Sequence, residues 1–363
     1  MEFSYNCVVI GQTGVGKSSF VNYLFGEPIA ITGIGKPVTE RGFHKYHGKV
    51  NNIDIEIFDS WGLEVGKEKE WMELAEQELK ARGVEKKPQE WFHSIFYCIN
   101  ASSSRVQNEE IKIIKKFIDA KYIVNVIFTK SDTTDEKTIL EMTKTVKKDI
   151  DIPCIPVCSE ERKQMGGGKV NAFGKDDVIK QMLDDFWPTI IKRMPGRLVS
   201  VINEKIDEWA NKQDEKYKKW FENSPLIGRV MCNATPIIYA EAFQKKFIED
   251  FNSEFNSAKF NNIIEEEIKE VIEMYSKFNS QFVVLFSLSD LKITNDKYYY
   301  DNSWLNAFLT LTFIVPILSS IFFDIHNYRN EIIQKILTEI KSKVREKEPE
   351  FKNMLINLRK QLR

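Results

Sequence analysis

Eight residues, Gly11-Gln12-Thr13-Gly14-Val15-Gly16-Lys17-Ser18, follow the apolar run Cys7-Val8-Val9-Ile10. Glycines at this spacing let the backbone curl so that successive N–H groups converge on the oxygens of a phosphate. Lys17 can reach the β- and γ-phosphates, and the Ser18 hydroxyl can ligate Mg²⁺. A helix that starts at Lys17 adds the positive end of its dipole to the same anion. Gly11, Thr13, Gly14, Val15, Gly16, Lys17, Ser18 and Ser19 are therefore the expected phosphate-holding set.

Two further groups follow in an order that selects the nucleotide. Asp59-Ser60-Trp61-Gly62 closes the alternating run Ile53-Asp54-Ile55-Glu56-Ile57-Phe58. Asp59 there can hold Mg²⁺ through water, and the Gly62 N–H can sense a γ-phosphate. Thr129-Lys130-Ser131-Asp132 closes a second apolar run, Ile123 to Phe128. A carboxylate at Asp132 accepts two hydrogen bonds from the N1–H and exocyclic amine of guanine, a donor pair adenine lacks on that edge. Lys130 would lie along the base.

These motifs, over residues 1–195, resemble the translation-factor-type GTPases. The phosphate loop, the stretch Thr32-Gly33 through Val38-Thr39-Glu40-Arg41 and Asp59-Ser60-Trp61-Gly62 look most like the immunity-related GTPases. Septins and the GTPases of immunity-associated proteins share the Thr-Gly inside the loop, and dynamin-like and Era-like proteins are more distant. The resemblance implies hydrolysis of GTP to GDP with Mg²⁺, with Lys17, Thr39 and Gly62 in catalytic roles. It places Thr39 as the switch threonine that closes on Mg²⁺ beside Ser18 and Asp59, with Thr32 as its rival. It also puts Ser159, in Cys158-Ser159-Glu160, in the base-cradling loop, although Glu160 replaces that loop's usual Ala.

Two departures bear on rate. Leu63 stands where Ras-like proteins carry the glutamine that orients the attacking water, and an apolar side chain cannot do so by hydrogen bonding. Gly14 stands where potassium-activated relatives carry Asn. Slow intrinsic turnover is expected, with the missing charge supplied by a second copy, by Arg41 or by a partner. The resemblance implies a nucleotide-dependent homodimer or larger assembly. The alternatives are a nearly hydrolysis-inactive binding module and a ribosome-assembly factor.

The surrounding pattern must position these groups. Strands alternating with helices, ending in a helix at 176–192, predict an α/β doubly wound, mostly parallel sheet for residues 1–195. Pro195-Gly196 then marks a boundary, and residues 196–363 read as an all-α domain. Its apolar stripes, such as Leu198, Val201, Ile202, Ile206 and Trp209, are core seams. The Lys/Glu-dense stretch 64–90 reads as a solvated switch region. Residues 27–42 and 60–70 are expected to order when GTP is bound.

Composition narrows the partners. The 363 residues carry a net charge of −1, which argues against an electrostatic grip on nucleic acid. Five scattered cysteines read as reduced thiols of a cytoplasmic protein. The first apolar run leads into the phosphate loop rather than forming a secretory signal. Between Asn302 and Phe323 there is no charged residue. That run reads first as a buried, Pro-kinked helix or hairpin, with peripheral or re-entrant membrane insertion and a true span as alternatives. A protein effector or a membrane surface is the expected further partner.

Overall fold

The computed structural model describes residues 3–30, 42–51, 53–63, 66–163, 169–223, 235–278 and 325–362. Thr32, Thr39, Arg41, the Gly166-Gly167-Gly168 loop and the run 302–323 lie outside these residues.

A six-stranded sheet carries the first part of the chain. Its strands are β1 (Tyr5–Gly11), β2 (Phe43–Val50), β3 (Ile53–Ser60), β4 (Ser94–Asn100), β5 (Val124–Thr129) and β6 (Cys154–Pro156), in the order β2-β3-β1-β4-β5-β6. Every pairing is parallel except β2 with β3. The central strands are apolar almost throughout because helices cover both faces, and every residue of β1 is buried. At the edge, β2 reads Phe-His-Lys-Tyr-His-Gly-Lys-Val. Its Lys45 pairs across to Glu56 at 2.7 Å, and such charges discourage further strand addition.

The intervening helices are α1 (Lys17–Phe25), α2 (Glu68–Ala81), α3 (Asn108–Asp119) and α4 (Glu136–Asp149). Local chemistry sets their starts. Asp135 caps α4 by accepting from the Thr138 N–H at 2.7 Å, and Glu110 accepts from the Gln107 N–H at 2.9 Å to begin α3. Although α2 lies in the Lys/Glu-dense stretch, its Trp71, Met72 and Ala75 are buried in the apolar layer beneath the sheet. A two-stranded hairpin, β7 (Arg162–Lys163) with β8 (Lys169–Val170), follows β6.

The remainder is helical: α5 (Lys175–Asn223), α6 (Thr235–Glu254), α7 (Ser257–Phe278), α8 (Ile325–Glu346) and α9 (Glu348–Gln361). Pro195-Gly196 does not end a helix, because α5 runs 49 residues through both Pro188 and Pro195. Each proline forfeits one backbone hydrogen bond, and neither stops the helix here. Two compact units emerge: the first runs to Met194 and takes in the end of α7 from Val271, and the second begins at Pro195.

In the first unit, Phe278 meets Tyr5, His93 and Phe186 edge-on at 5.5–6.2 Å. In the second, the Leu198–Trp209 stripe is buried and Arg197 makes a two-pronged pair with Glu267 at 2.9 and 3.0 Å. No described helix is long and apolar enough to cross a membrane.

Candidate functional site

The strand order reverses at β1, and in such sheets ligands bind beyond the carboxyl ends of the strands at that point. The loop 11–16 leaves β1 there. Gly11 is required by a close approach, since a Cβ would collide with the Cys98 carbonyl oxygen of β4. The loop delivers the chain into α1, whose first turn has no side-chain cap and no acidic residue. Its amide N–H groups are thus available to an anion.

Lys17 is 7% exposed and donates to the carbonyl oxygens of Gly11 at 3.2 Å and Gln12 at 3.0 Å. An ammonium has three N–H donors, so one remains for a ligand. Burial lowers its pKa, while the nearby Asp59 raises it. Ser19 sits half-buried in the same helical turn.

The Ser18 hydroxyl donates to Asp59 Oδ2 at 2.8 Å. Asp59 is fully buried at the end of β3, and its Oδ1 has no hydrogen-bond partner. Burial raises the Asp59 pKa, with Lys17 and then the Ser18 hydrogen bond opposing it. A buried carboxylate with an orphaned oxygen, beside a serine hydroxyl and a lysine, fits a hydrated Mg²⁺ that takes most of its ligands from water and phosphate. Among the described residues, no cluster of three or more His, Cys, Asp or Glu residues could hold a metal ion.

The chain beyond Asp59 docks on the phosphate loop. Leu63 N–H donates to Gly11 O and Thr13 N–H to Leu63 O, both at 3.1 Å. Gly62 lies against Thr13: a Cβ there would stand 2.7 Å from the Thr13 nitrogen and closer still to its Cα and Oγ1. The Leu63 side chain turns inward, 8% exposed, into the apolar layer with Trp61 and Trp71. Trp61 is held by its neighbours, its N–H donating to Gly42 O and its carbonyl accepting from the Trp71 indole, each at 3.0 Å.

At the ends of β5 and β6 the second group assembles. Thr129 Oγ1 donates to the Val15 carbonyl and, at 3.2 Å, to that of Ile99. Lys130, in a left-handed conformation at φ 54°, donates to Gly14 O at 3.1 Å. Val15 is buried, and its backbone carbonyl makes the link to Thr129. Asp132 follows in a 3₁₀ turn, Ser131–Thr133, whose Ser131 N–H donates to Val157 O at 3.1 Å. That bond sets Asp132 beside the loop holding Ser159. Ser159 is half-buried, and the adjoining Cys158 pairs with Phe173 through two backbone hydrogen bonds.

Sequence reasoning missed several supports. Asn22 makes two hydrogen bonds to the backbone of Ala30, at 2.6 and 2.9 Å, pinning the chain just before residue 31. Gln12 Nε2 donates to Gln107 Oε1 at 3.1 Å. At the opposite ends of the strands, Asp185 of α5 accepts from Ser94 Oγ at 2.6 Å, Gln181 Nε2 at 2.7 Å and Asn125 Nδ2. Burial pushes the Asp185 carboxyl up to about 6. An Asp-Asp pair in a helix gives no sign that one carboxylate faces inward.

Residues 6–144 match the family described as 50S ribosome-binding GTPase. Two curated relatives are similar over a short stretch. Translocase of chloroplast 90 of Arabidopsis thaliana is 36% identical over 63 residues, covering 17% of this chain and 8% of that protein. Translocase of chloroplast 108 of Physcomitrium patens is 36% identical over 63 residues, covering 17% of this chain and 6% of that protein. The chain thus spans under a tenth of the length of these relatives.

Among solved structures, Era of Aquifex aeolicus bound to GDP and AlF4⁻ is 21% identical, with a TM-score of 0.39 over 51% of this chain and 57% of that one. Toc33 of Arabidopsis thaliana with Mg²⁺ and GMPPNP is 18% identical, with a TM-score of 0.39 over 52% of this chain and 86% of that one. Sheet order, motif placement and the family match over 6–144 together give this part of the chain the fold of a P-loop GTPase domain.

Proposed function

We propose that this chain binds GTP and Mg²⁺, hydrolyses GTP to GDP and phosphate slowly on its own, and turns over faster when copies associate. The observation that carries the reading is the Ser18–Asp59 pair with its orphaned Oδ1, set beside Lys17 and the uncapped start of α1. Lys17 and the amides of residues 13–19 hold the phosphates, and Ser18, Thr39 and, through water, Asp59 hold the metal. Bound Mg²⁺ would neutralise charge on the β- and γ-phosphates. Asp132 selects guanine, with Lys130 and Ser159 flanking the base. Gly62 senses the γ-phosphate and, with residues 27–42 and 60–70, passes nucleotide state to the helical part, residues 196–363.

Self-association belongs to this reading because Leu63 leaves the site without a water-orienting amide, so added charge or order must come from elsewhere. On this reading the chain is an assembly-activated, mechanical GTPase of the immunity-related, septin or dynamin-like kind, which the sequence motifs at residues 11–19 and 59–62 support. It acts in the cytoplasm, with 302–323 as the segment for a membrane or an effector. A second reading, a nearly inactive binding module, draws on the same burial of Leu63. The net charge of −1 favours a protein or membrane partner over RNA.

Phosphate release from GTP by the full chain, compared with Lys17→Ala, tests the proposal. Release by the wild type that the variant lacks supports it. GTP binding without release by the wild type favours the second reading.

A further inference from the structure

Leu63 is tied down twice, its side chain in the core and both its backbone polar groups on the phosphate loop. It cannot swing toward a phosphate without breaking both. A different polar group stands at this place. Strands β1 and β3 pair Val9 with Asp59, yet further along Gln12 faces Leu63. The segment Asp59–Leu63 therefore holds one residue more than the segment it faces, a bulge-like register shift that presses Gly62 onto Thr13. A Cβ on Gly62 would run into Thr13 Oγ1, so the hydroxyl lies on the face of the residue that senses the γ-phosphate. Thr13 is exposed to solvent. Its hydroxyl offers one donor and two acceptor positions.

We propose that Thr13 is a catalytic residue: its Oγ1 accepts a hydrogen bond from the attacking water and aligns it on the γ-phosphorus, the task Leu63 cannot perform. This assignment rests on the GTPase reading above. The water oxygen forms a bond to the γ-phosphorus and the bond from that phosphorus to the β–γ bridging oxygen breaks. The water proton passes to a phosphate oxygen, giving GDP and inorganic phosphate. Thr13 keeps its own proton, since an alcohol is too weak a base to retain another. The Thr13 N–H donates to Leu63 O and Gly62 packs on Thr13, so the backbone that carries the hydroxyl is tied to residues 62–63.

The test is single-turnover hydrolysis of GTP by the full chain, with GTP affinity and thermal melting measured alongside. Thr13→Val keeps the shape and removes the hydroxyl, whereas Thr13→Ser keeps the hydroxyl and removes the methyl. The expected result is a roughly 10- to 100-fold slower step for Thr13→Val at unchanged affinity. Thr13→Ser should stay within about threefold of the wild type. Thr13→Val hydrolysing at the wild-type rate overturns the assignment. So does Thr13→Ser as slow as Thr13→Val with both folded, which would make the residue a packing group. A wild-type chain that binds GTP and never releases phosphate overturns the hydrolysis reading itself, and the wild-type control separates that failure from the failure of Thr13 alone.

Discussion

The indole N–H of Trp71 donates to the carbonyl oxygen of Trp61 at 3.0 Å, fastening the residue before Gly62 to helix α2. The two rings also meet edge-on at 6.4 Å. Any movement of Gly62 toward a γ-phosphate must carry Trp61 with it, and α2 is the element that feels the pull. The residue before Gly62 and helix α2 are thus tied by a hydrogen bond and a ring contact.

Trp71→Phe keeps an aromatic side chain but removes the indole donor and part of its buried bulk. It should cost about 1–2 kcal/mol of stability in urea unfolding, because a buried carbonyl loses its partner. The ratio of GTP to GDP affinity should shift, while preference for guanine over adenine stays. Unchanged stability together with an unchanged ratio would sever Trp71 from the sensor.

Asp132→Asn should exchange guanine for xanthine preference. Two hydrogen bonds to a charged acceptor contribute on the order of 3 kcal/mol, so the GTP-to-XTP affinity ratio should fall by about 100-fold or more. Competition of GTP, XTP and ATP against a fluorescent guanine nucleotide reads this directly. An unaltered preference for GTP would remove Asp132 from the base site.

The Asp185 network should appear in the pH dependence of stability. The folded-state pKa is raised from 3.8 to about 6, so between those values the folded protein binds the proton more tightly than the unfolded chain. Stability therefore falls as pH rises from about 4 to about 6, by about 3 kcal/mol from this group. Asp185→Asn should remove that slope, since an amide does not ionise in this range. Parallel curves for wild type and variant from pH 4 to 7 would contradict the assignment.

The class of sheet was legible because strands alternate with helices: the apolar runs ending in Gly11, Asp59 and Thr129 are buried strands with polar groups at their carboxyl ends. The strand order is not carried by that alternation. The continuation of α5 was not legible. Pro195-Gly196 is a strong local stop, and packing of Met194, Leu198 and Ile202 along one stripe overrides it. Nor could the sequence show that Leu63 faces the core, that Gly62 is pressed on Thr13, or that Asp185 is buried. Those depend on a one-residue register shift and on which face of a long helix meets the sheet, neither of which a linear pattern carries.

The most direct test of the central claim is GTP turnover per molecule across a hundredfold range of protein concentration, with mass followed by light scattering and with anionic liposomes added in parallel. Turnover that climbs as dimers or larger species form is the predicted result, and further stimulation by liposomes would bring in the segment 302–323. Turnover that stays flat and slow from a monomer at every concentration would contradict activation by self-association.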